Sequence, residues 1–592
     1  MEKFATNQGA EFLFKFISKR SCKRKDFFLV FRISCQVSLT ETGHHAQTGK
    51  CPACSSHASQ TSSECGGKQK GGFFTHANFL SKRSEDGLGT IESFVKVFES
   101  FFFCIHGLSI RAPACFVNAR FFARIDKQEM VESPADMNTQ RTLVKHALAS
   151  EAPVELILVE GWVRTRRDSK TFSFLEVNDG TSLASIQVVA DAGIPGYEDI
   201  SRMTTGSSVS ILGRLVESPG KQKWEIQATE IKLVGGSPEN YPLQKKGHSP
   251  EFLRSIAHLR PRTNLFGAVF RTRSRMAAAV HQFFMERDFV WVHTPIITAS
   301  DCEGAGEMFH VTTLDPMAEN KGYEDDFFGK PANLTVSGQL EGETFACALS
   351  NIYTFGPTFR AENSNTSRHA AEFWMIEPEM AFCDIYGDME IAESFIKHIA
   401  RTMLQDTSGD FDFFCRFVDK GLRARLEEVA EKPFVRCSYT EAIEIMQASG
   451  EKFEYKPYWG MDMQTEHERF LTEKHFKCPV IVYNYPKEIK PFYMRLNDDG
   501  KTVTAMDVLV PGIGEIIGGS QREERLEILE GNIERMGMDM DAYYWYNDLR
   551  RYGTVPHAGF GVGFERLIMF VTGVQNIRDV LPYPRTPRNC EF

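Results

Sequence analysis

Two arginines flank a short polar loop near the middle of the chain, in Phe359-Arg360-Ala361-Glu362 and in the run from Arg368 to Glu377. The pattern predicts a hairpin with charged residues gathered at one end. A guanidinium group forms paired hydrogen bonds to phosphate oxygens, and two such groups can hold different phosphates of one nucleotide. The alternative interpretation is a surface hairpin with ion pairs. This interpretation loses support because other groups suited to phosphate binding occur further along the chain.

A second block joins acidic residues to glycines. Asp507 lies in an apolar run, and Glu515 stands in the following segment, Gly514-Glu515-Ile516-Ile517-Gly518-Gly519. Two carboxylates on neighbouring strand ends can share Mg²⁺, which binds few protein oxygens and takes its other ligands from phosphates and water. The glycines let a ligand approach the backbone closely. A solvated acid pair beside a glycine bulge remains an equal alternative on these residues alone.

A third block is a glycine-rich strand that leads into an apolar helix. It runs from Ala558 to Phe570 and places Arg566 near the start of the predicted helix, where it can face a bound anion. The pattern is weak evidence by itself. It is not a dinucleotide-binding fingerprint, because the flanking βαβ context is missing.

The elements that must position these blocks divide into a β-rich segment and a larger mixed one. Five short apolar strands separated by turns lie between Val154 and Val234, and Asn178-Asp179-Gly180 and Pro219-Gly220 are two of the predicted turns. Five strands in about eighty residues predict an OB-type barrel, with an all-β sandwich as the competing fold. The expected domains are an entry segment at 137–151, the barrel at 152–236 and a linker at 237–257.

The segment 258–592 is predicted to form one α+β domain on a mainly antiparallel sheet. Apolar residues recur at helical spacing over 265–289, so a long helix is expected there. The apolar runs LTVSGQL, NIYTFGPTFRAE and EFWMIEPEMAF are predicted strands, and no regular βαβ repeat connects them.

Composition limits the class of protein. The chain has 592 residues and a formal net charge of −10, which argues against a general polyanion binder but allows a local basic face for RNA. We find no apolar run long enough to cross a bilayer without a charge, so no membrane association is expected. The seven cysteines after residue 136 are widely spaced, as in reduced proteins, which predicts a cytoplasmic location.

Residues 1–136 differ in composition from the remainder, with 18 of the 48 Phe and seven of the 14 Cys. They show no sustained periodicity, so we predict that this extension is disordered or not part of the functional protein, with Met137 a candidate start. Cys51 and Cys54, with His57 and Cys65, resemble only half of a zinc site. A transit peptide is the main alternative, although such segments are usually poor in acidic residues.

Together the three blocks resemble the motifs of class II aminoacyl-tRNA synthetases, whose first motif is represented here by TPIIT at Pro295. The resemblance covers roughly residues 152–592. The N-terminal barrel is similar to that of the aspartyl, asparaginyl and lysyl subgroup. The runs VSGQLEGE, RHAAEFWMIEPE, EIIGGSQREER and IRDVLPYPR resemble its asparaginyl branch in particular. The resemblance implies a ligase that activates asparagine with ATP and Mg²⁺, charges tRNA(Asn) at its 3′ end, and works as a homodimer.

The resemblance also implies roles for individual residues. It assigns ATP binding to the set Arg360, Arg368, His369, Phe373, Glu515 and Arg566, with Arg360, Glu362 and Arg566 as the catalytic group. Asparagine binding falls to Gln339, Glu343 and Arg522, and metal binding to Asp507 and Glu515. On the barrel, Phe174 and Gln187 match positions that stack on and hydrogen-bond an anticodon base, although a core position for Phe174 is a competing interpretation.

Two other functions are compatible with parts of the pattern. An asparagine synthetase of related fold is opposed by the predicted barrel, and a noncatalytic RNA-binding relative is opposed by the joint presence of the arginines and acids. Aspartate is the competing substrate. The aspartyl branch carries a lysine where Gly342 stands here, so the absence of that cation favours the neutral amide, while Arg522 could still attract a carboxylate.

Overall fold

The computed structural model describes residues 140–302, 308–315 and 322–592, together with the backbone of two strands nearer the N-terminus. The chain separates into two compact units, Met1–Val131 and Glu132–Phe592. In the first, β1 (Val30–Cys35) pairs antiparallel with β2 (Thr75–Leu80). The predictions about the rest of residues 1–136, including the half zinc site, lie outside the described residues.

The β-rich segment forms a closed five-stranded barrel with the order β3-β4-β5-β7-β6. The predicted barrel is confirmed and the competing sandwich is wrong. Alternate residues along each strand face inward, as the period-2 pattern requires. Both predicted turns join strands, and in the first the Asn178 side-chain oxygen accepts from the Gly180 backbone N–H at 2.9 Å. The strands are β3 Val154–Asp168, β4 Phe172–Asn178, β5 Ile186–Asp191, β6 Ser208–Glu217 and β7 Trp224–Gly235.

The larger segment is built on an eight-stranded sheet with the order β13-β14-β15-β16-β17-β12-β11-β8. Five of its seven neighbouring pairs are antiparallel; β13–β14 and β11–β8 are parallel. Two further short strands, β9 and β10, pair separately. The bounds are β8 Val290–Trp291, β9 Ile297–Thr298, β10 Asn333–Leu334, β11 Asn351–Phe359, β12 Glu372–Ala381, β13 Val435–Ser438, β14 Val480–Pro486, β15 Thr502–Val510, β16 Gly514–Gln521 and β17 His557–Gly563.

Helices cover both faces of this sheet, so the α+β class is confirmed. One apolar core joins α3, α5 and α12 to the sheet, and a second joins α8, α10 and α11 to its other face. The described α-helices are α1 Val144–Leu148, α2 Pro250–Ser255, α3 Asn264–Met285, α4 Gln339–Leu349, α5 Ile385–Leu404, α6 Asp410–Phe417, α7 Leu422–Glu431, α8 Tyr439–Ala448, α9 Thr465–Arg469, α10 Leu526–Arg535, α11 Tyr544–Arg551 and α12 Phe564–Thr572.

The long helix expected over 265–289 is α3, whose first turn is capped by the Thr263 side chain accepting from the Phe266 N–H. The strand predicted for LTVSGQL is wrong. Only Leu334 belongs to a strand, and Gln339 already begins α4. Between them the Thr335 hydroxyl accepts from the Ser337 N–H in a local turn, and Gly338 packs against the Thr294 hydroxyl in a space that no side chain could share.

Among the residues that the structure describes, no helix has both the length and the apolar character needed to traverse a bilayer.

Candidate active site

A cavity of about 160 Å³ opens where β12, β16 and β17 meet the start of α12. Every residue that the sequence predicts for ATP binding lies on its wall. The hairpin β11–β12 brings the first block to the cavity, β16 brings the second, and β17 with α12 brings the third. The predicted members of the lining are Arg360, Glu362, Arg368, His369, Phe373, Glu515 and Arg566.

Arg360 and Phe373 stand on opposite sides of the hairpin loop. Arg360 follows the last residue of β11, and its backbone N–H donates to the Ala371 carbonyl at 3.0 Å. Its guanidinium carbon lies 5.4 Å from the centroid of the Phe373 ring, which belongs to β12. The cavity is thus bordered by a cation and by an aromatic face, and these two groups suit a phosphate and a flat heterocycle respectively.

The loop between the two strands adds a second cation and a neutral ring. The Arg368 guanidinium donates to the Thr465 hydroxyl at 2.9 Å, which holds it over the cavity. Burial lowers the pKa of His369, and the nearby arginines lower it further while Glu362 opposes them. Its Nδ1 lies 2.8 Å from the Ser364 hydroxyl. The lowered pKa favours the neutral imidazole, which can form hydrogen bonds but adds no further positive charge to the cavity.

Glu515 and Arg566 form the opposite wall. A guanidinium nitrogen of Arg566, in the first turn of α12, lies 3.3 Å from the Glu515 carboxylate and 3.4 Å from its backbone oxygen. Burial alone would raise the pKa of Glu515, but Arg566 and Lys490 outweigh it and hold the carboxyl below its usual range. Glu515 is therefore an anion at neutral pH.

The two predicted metal ligands converge on Gly518. A Cβ atom at that position would lie 3.4 Å from a Glu515 oxygen and 3.7 Å from an Asp507 oxygen. Lys490 donates to both oxygens of Asp507 at 3.1 and 3.0 Å. A third acid, Glu468, accepts from the Glu515 backbone N–H at 3.1 Å, and burial together with the charge of Glu515 raises its pKa to about 7.

This donor set fits Mg²⁺. Glu515 lines the phosphate-suited cavity beside Arg566, and Asp507 lies on the neighbouring strand beside Lys490, so two carboxylates are available on adjacent strands. In the described part of the chain, no three acidic, histidine or cysteine side chains surround one metal position. A metal that keeps several water ligands and shares phosphate oxygens needs no such cage.

The residues predicted for asparagine binding lie close to one another. Gln339, at the start of α4, donates from Nε2 to Glu343 at 3.0 Å. Arg522, just after β16, donates to the two oxygens of Glu379 at 3.1 and 2.5 Å. Its Nε lies 3.8 Å from Glu343. Burial by itself would lower the pKa of Arg522, but the charges of Glu379 and Glu343 outweigh burial and raise the pKa above its ordinary value.

Sequence reasoning missed the other groups around Glu343. Tyr546 and Arg550 of α11 and His557 of β17 all contact its carboxylate, at distances between 2.8 and 3.0 Å. No spacing signal could have found them, because more than two hundred residues separate them from Glu343 in the chain. The one available hint was that His557 directly precedes the third block.

On the barrel, Phe174 and Gln187 share the outer face of two paired strands. Residues 173, 175 and 177 of β4 are buried, so Phe174 lies on the opposite, partly exposed side. The competing core position for Phe174 is therefore wrong. Phe174 packs edge-on against Phe172 with ring centroids 5.0 Å apart, and Gln187 donates to Glu225 at 2.9 Å.

Two families of known proteins match separate parts of the chain. Residues 157–234 match the family described as OB-fold nucleic acid binding domain. Residues 249–587 match the family described as tRNA synthetases class II (D, K and N).

Curated proteins and solved structures are also similar. The chain is 63% identical over 461 residues to a protein of Nitratidesulfovibrio vulgaris (strain DP4) named asparagine–tRNA ligase, covering 76% of this chain and 100% of the relative. A protein of the same name from Oleidesulfovibrio alaskensis is 61% identical over 460 residues, with 76% and 100% covered. The crystal structure of asparaginyl-tRNA synthetase from Pyrococcus horikoshii complexed with asparaginyl-adenylate is 33% identical, with a TM-score of 0.66 over 74% of this chain and 96% of that one.

Proposed function

We propose that this chain, which belongs to the family of class II tRNA synthetases (D, K and N), activates asparagine with ATP and transfers it to tRNA(Asn). The observation that carries the proposal is the convergence of Arg360, Arg368 and Arg566 on one cavity with an aromatic wall. A cavity of this kind suits a nucleoside triphosphate, with the arginines facing the phosphates and the aromatic wall facing the base. The activity named for the relatives matches this chemistry.

In the first half-reaction, a carboxylate oxygen of asparagine attacks the α-phosphorus of ATP. A new O–P bond forms, the bond to the bridging oxygen breaks, and pyrophosphate leaves with the electron pair. We assign the α-phosphate to Arg360, the γ-phosphate to Arg368 and Arg566, and the adenine to Phe373. Positioning and charge stabilisation are sufficient catalysts for phosphoryl attack of this kind, so no protein nucleophile is needed.

Asp507 and Glu515 are the proposed ligands of Mg²⁺, which supplies neutralisation of phosphate charge when bound. Glu515 lines the cavity, and Asp507 lies one strand away beside Lys490. His369 stays uncharged beside the phosphate sites and offers a hydrogen bond there without adding a further cation.

In the second half-reaction, the 3′-hydroxyl of the terminal tRNA ribose attacks the carbonyl carbon of the adenylate. An ester bond forms, the bond from the carbonyl carbon to the phosphate oxygen breaks, and AMP leaves. Glu362 is half-buried on the cavity wall between the two arginines of the hairpin, which suits a group that positions the activated carbonyl or the acceptor end.

For the amino acid, we propose that Gln339 contacts the substrate ammonium group and that Arg522 lies toward the side-chain amide, with Glu343 supporting both. For the tRNA, the outer face of the barrel carries Phe174, Gln187 and Arg167, since Arg167 is the register partner of Phe174 on the neighbouring strand. A ring that can stack on an unpaired base, with polar groups next to it, suits anticodon recognition.

We propose a homodimer formed through the edge of the catalytic sheet. The strand β8 is the last in the sheet, and Trp291 within it is 55% exposed. Ile296 and Ile297 of the neighbouring TPIIT segment are 44% and 41% exposed. Large exposed apolar side chains on an open sheet edge and in the segment that follows it favour burial against another protein surface. Light scattering should report a dimer, and Trp291→Glu should shift the mass toward a monomer; an unchanged mass would contradict this interface.

The remaining proposals concern residues 1–136 and the location. We propose that the activity resides in residues 137–592, in four parts: an entry segment, the barrel, a linker that contains α2, and the catalytic domain. The seven described cysteines are all free thiols, which supports a reducing, cytoplasmic compartment.

The decisive test is ATP–pyrophosphate exchange with asparagine, aspartate and lysine assayed in parallel, followed by charging of tRNA(Asn). We expect exchange with asparagine and at most weak exchange with the other two. Exchange that is fastest with aspartate would contradict the substrate assignment, and no exchange with any amino acid would contradict the enzyme class.

A further inference from the structure

A closed polar cluster lies directly behind the proposed amino-acid site. Its centre is Glu343, which is 0% exposed. Three other side chains, Tyr546, Arg550 and His557, surround it, and we call these three the Glu343 clamp. All three clamp side chains are buried, whereas Gln339 retains a small exposed fraction of 8%. The side chains of Tyr546, Arg550 and His557 thus meet the carboxylate of Glu343, and Glu343 in turn accepts from the amide of Gln339.

The hydrogen bonds around Glu343 saturate its carboxylate. Tyr546 donates from its hydroxyl, shared between the two oxygens at 2.9 and 2.8 Å. Arg550 donates to Oε2 at 3.0 Å, and the His557 Nε2 lies 2.9 Å from the same atom. Gln339 donates to Oε1 at 3.0 Å. Four donors occupy the approximately four lone-pair sites of a carboxylate, so little capacity remains for a substrate group.

The ring nitrogens of His557 both face acceptors. Nδ1 lies 2.8 Å from the Val555 carbonyl oxygen, and Nε2 faces the Glu343 carboxylate. The Val555 carbonyl oxygen and the Glu343 carboxylate together fix the orientation of the ring. Burial would raise the pKa of Glu343, but the charges of Arg550, His557 and Arg522 outweigh it and keep the carboxyl ionised. The clamp thus holds a fixed buried anion.

This fixed anion decides which way the amide of Gln339 points. Because ionised Glu343 cannot donate, the group of Gln339 that faces it must be the NH₂ end. The carbonyl oxygen Oε1 is then turned away from Glu343. A substrate ammonium group can only donate hydrogen bonds, so it needs that oxygen as an acceptor. If the Gln339 amide were flipped, its NH₂ group would face the N–H groups of the ammonium and no hydrogen bond could form.

We infer that Tyr546, Arg550 and His557 are positioning residues that fix Glu343, and through it the amide orientation of Gln339, for capture of the substrate amino group. The inference rests on the proposed role of Gln339 in the synthetase reaction. It gives Glu343 an indirect role, through Gln339 and Arg522, in place of a direct contact with asparagine.

The test compares asparagine with succinamic acid, which is asparagine without its amino group. The variants are Tyr546→Phe, which deletes one donor to Glu343, and Glu343→Gln, which removes the anion while keeping its shape. The matched control is Tyr543→Phe: Tyr543 is equally buried in the same segment, and its hydroxyl donates to the Asp301 backbone oxygen at 2.6 Å, away from Glu343.

We expect both clamp variants to raise the KM for asparagine about tenfold or more, the usual loss for a hydrogen bond to a charged group. The KM for ATP and the inhibition constant of succinamic acid should stay within about twofold of wild type. Tyr543→Phe should change none of the three values. Arg550→Lys, which keeps a donor and the charge, should retain more asparagine affinity than Arg550→Met.

Equal losses for asparagine and succinamic acid, or values for Tyr546→Phe that match Tyr543→Phe, would overturn the inference. Failure of the proposed function is a different result, because the wild-type chain would then show no asparagine-dependent exchange. Melting temperatures of all variants are measured alongside, and Tyr546→Phe keeps the test valid if Glu343→Gln does not fold.

Discussion

Replacing Gly559 with alanine should lower kcat/KM for asparagine while leaving the KM for ATP nearly unchanged. Gly559 lies on β17 opposite β12, and a Cβ atom there would lie 2.5 Å from the Glu379 carboxylate and closer still to the Pro378 carbonyl oxygen. Ordinary carbon contacts are about 3.5–4.0 Å, so the groups must separate by about 1 Å. Glu379 is the bidentate partner of Arg522, and the displacement is therefore passed to the proposed asparagine site.

The expected magnitude follows from that displacement. Overpacking of this kind costs about 1–3 kcal/mol of stability, because a backbone oxygen cannot move aside as a flexible side chain can. A misplacement of about 1 Å costs on the order of 10²-fold in rate. We expect kcat/KM for asparagine to fall by about that factor, with the KM for ATP changed by less than about threefold.

Two other glycines supply controls. Gly561 lies two residues further along β17 on the wall of the ATP cavity, and an added Cβ would lie 2.7 Å from the flexible end of Met375. Gly561→Ala should therefore raise the KM for ATP more than that for asparagine. At Gly356, no atom lies within 4 Å of the position that an added Cβ would take. Gly356→Ala should therefore change neither the KM for ATP nor the KM for asparagine.

The assay is pyrophosphate exchange with each substrate varied separately, and thermal melting confirms folding. An unchanged kcat/KM for asparagine in Gly559→Ala, or equal losses toward ATP and asparagine, would refute the argument that Glu379 and Arg522 transmit the change.

Three further predictions concern the other sites. Arg360→Ala and Arg566→Ala should each reduce exchange about 10²-fold or more because each removes charge from the reacting phosphates, and near-normal exchange in purified, folded protein would contradict the ATP site. Phe174→Ala combined with Gln187→Ala should lower tRNA charging more than asparagine activation; equal losses, or a melted barrel, would make these residues structural. Residues 137–592 expressed alone should match the full chain in solubility and charging rate, whereas an inactive truncation or stoichiometric zinc in the full chain would show that the extension is functional.

The barrel was predictable because its strands are amphipathic. Inward and outward residues alternate along each strand, and turn residues such as Asn178 and Gly180 mark where strands end. The sequence pattern therefore indicates the length, the period and the boundaries of the strands together. The observed strands run from Val154 to Gly235, against a predicted barrel at 152–236. The existence and bounds of each strand can be read within one short segment, even though β3 pairs with β6 and β5 with β7 across longer stretches of chain.

The ATP cavity was predictable for a different reason. Its residues lie in three compact blocks, each of which combines a backbone element with charged groups at fixed spacing. The structure brings Arg360, Arg368, Glu515 and Arg566 to one cavity, as the sequence indicated. Their individual chemical roles remain predictions.

The polar cluster behind Gln339 was not predictable. The partners of Glu343 lie in α11 and β17, and neither segment has a pattern that distinguishes a buried ion cluster from a charged helix surface. The failure at LTVSGQL has a similar origin. Its apolar residues suggest a strand, but the chain turns at Thr335–Ser337 and packs Gly338 against Thr294, a contact distant in sequence that local pattern does not show.

The position of β17 in the sheet has a consequence for synthesis of the protein. This strand lies between β16 and β12, although it follows both in the chain. At about 5–20 residues per second, roughly 10–35 s pass between the emergence of β12 and that of β17. β12 exposes an edge of unpaired backbone groups throughout that interval, and β16 does so once it has emerged, which is the arrangement that templates aggregation. The nascent chain therefore stays vulnerable until His557–Gly563 has left the ribosome, and its yield should depend on how quickly that late strand arrives.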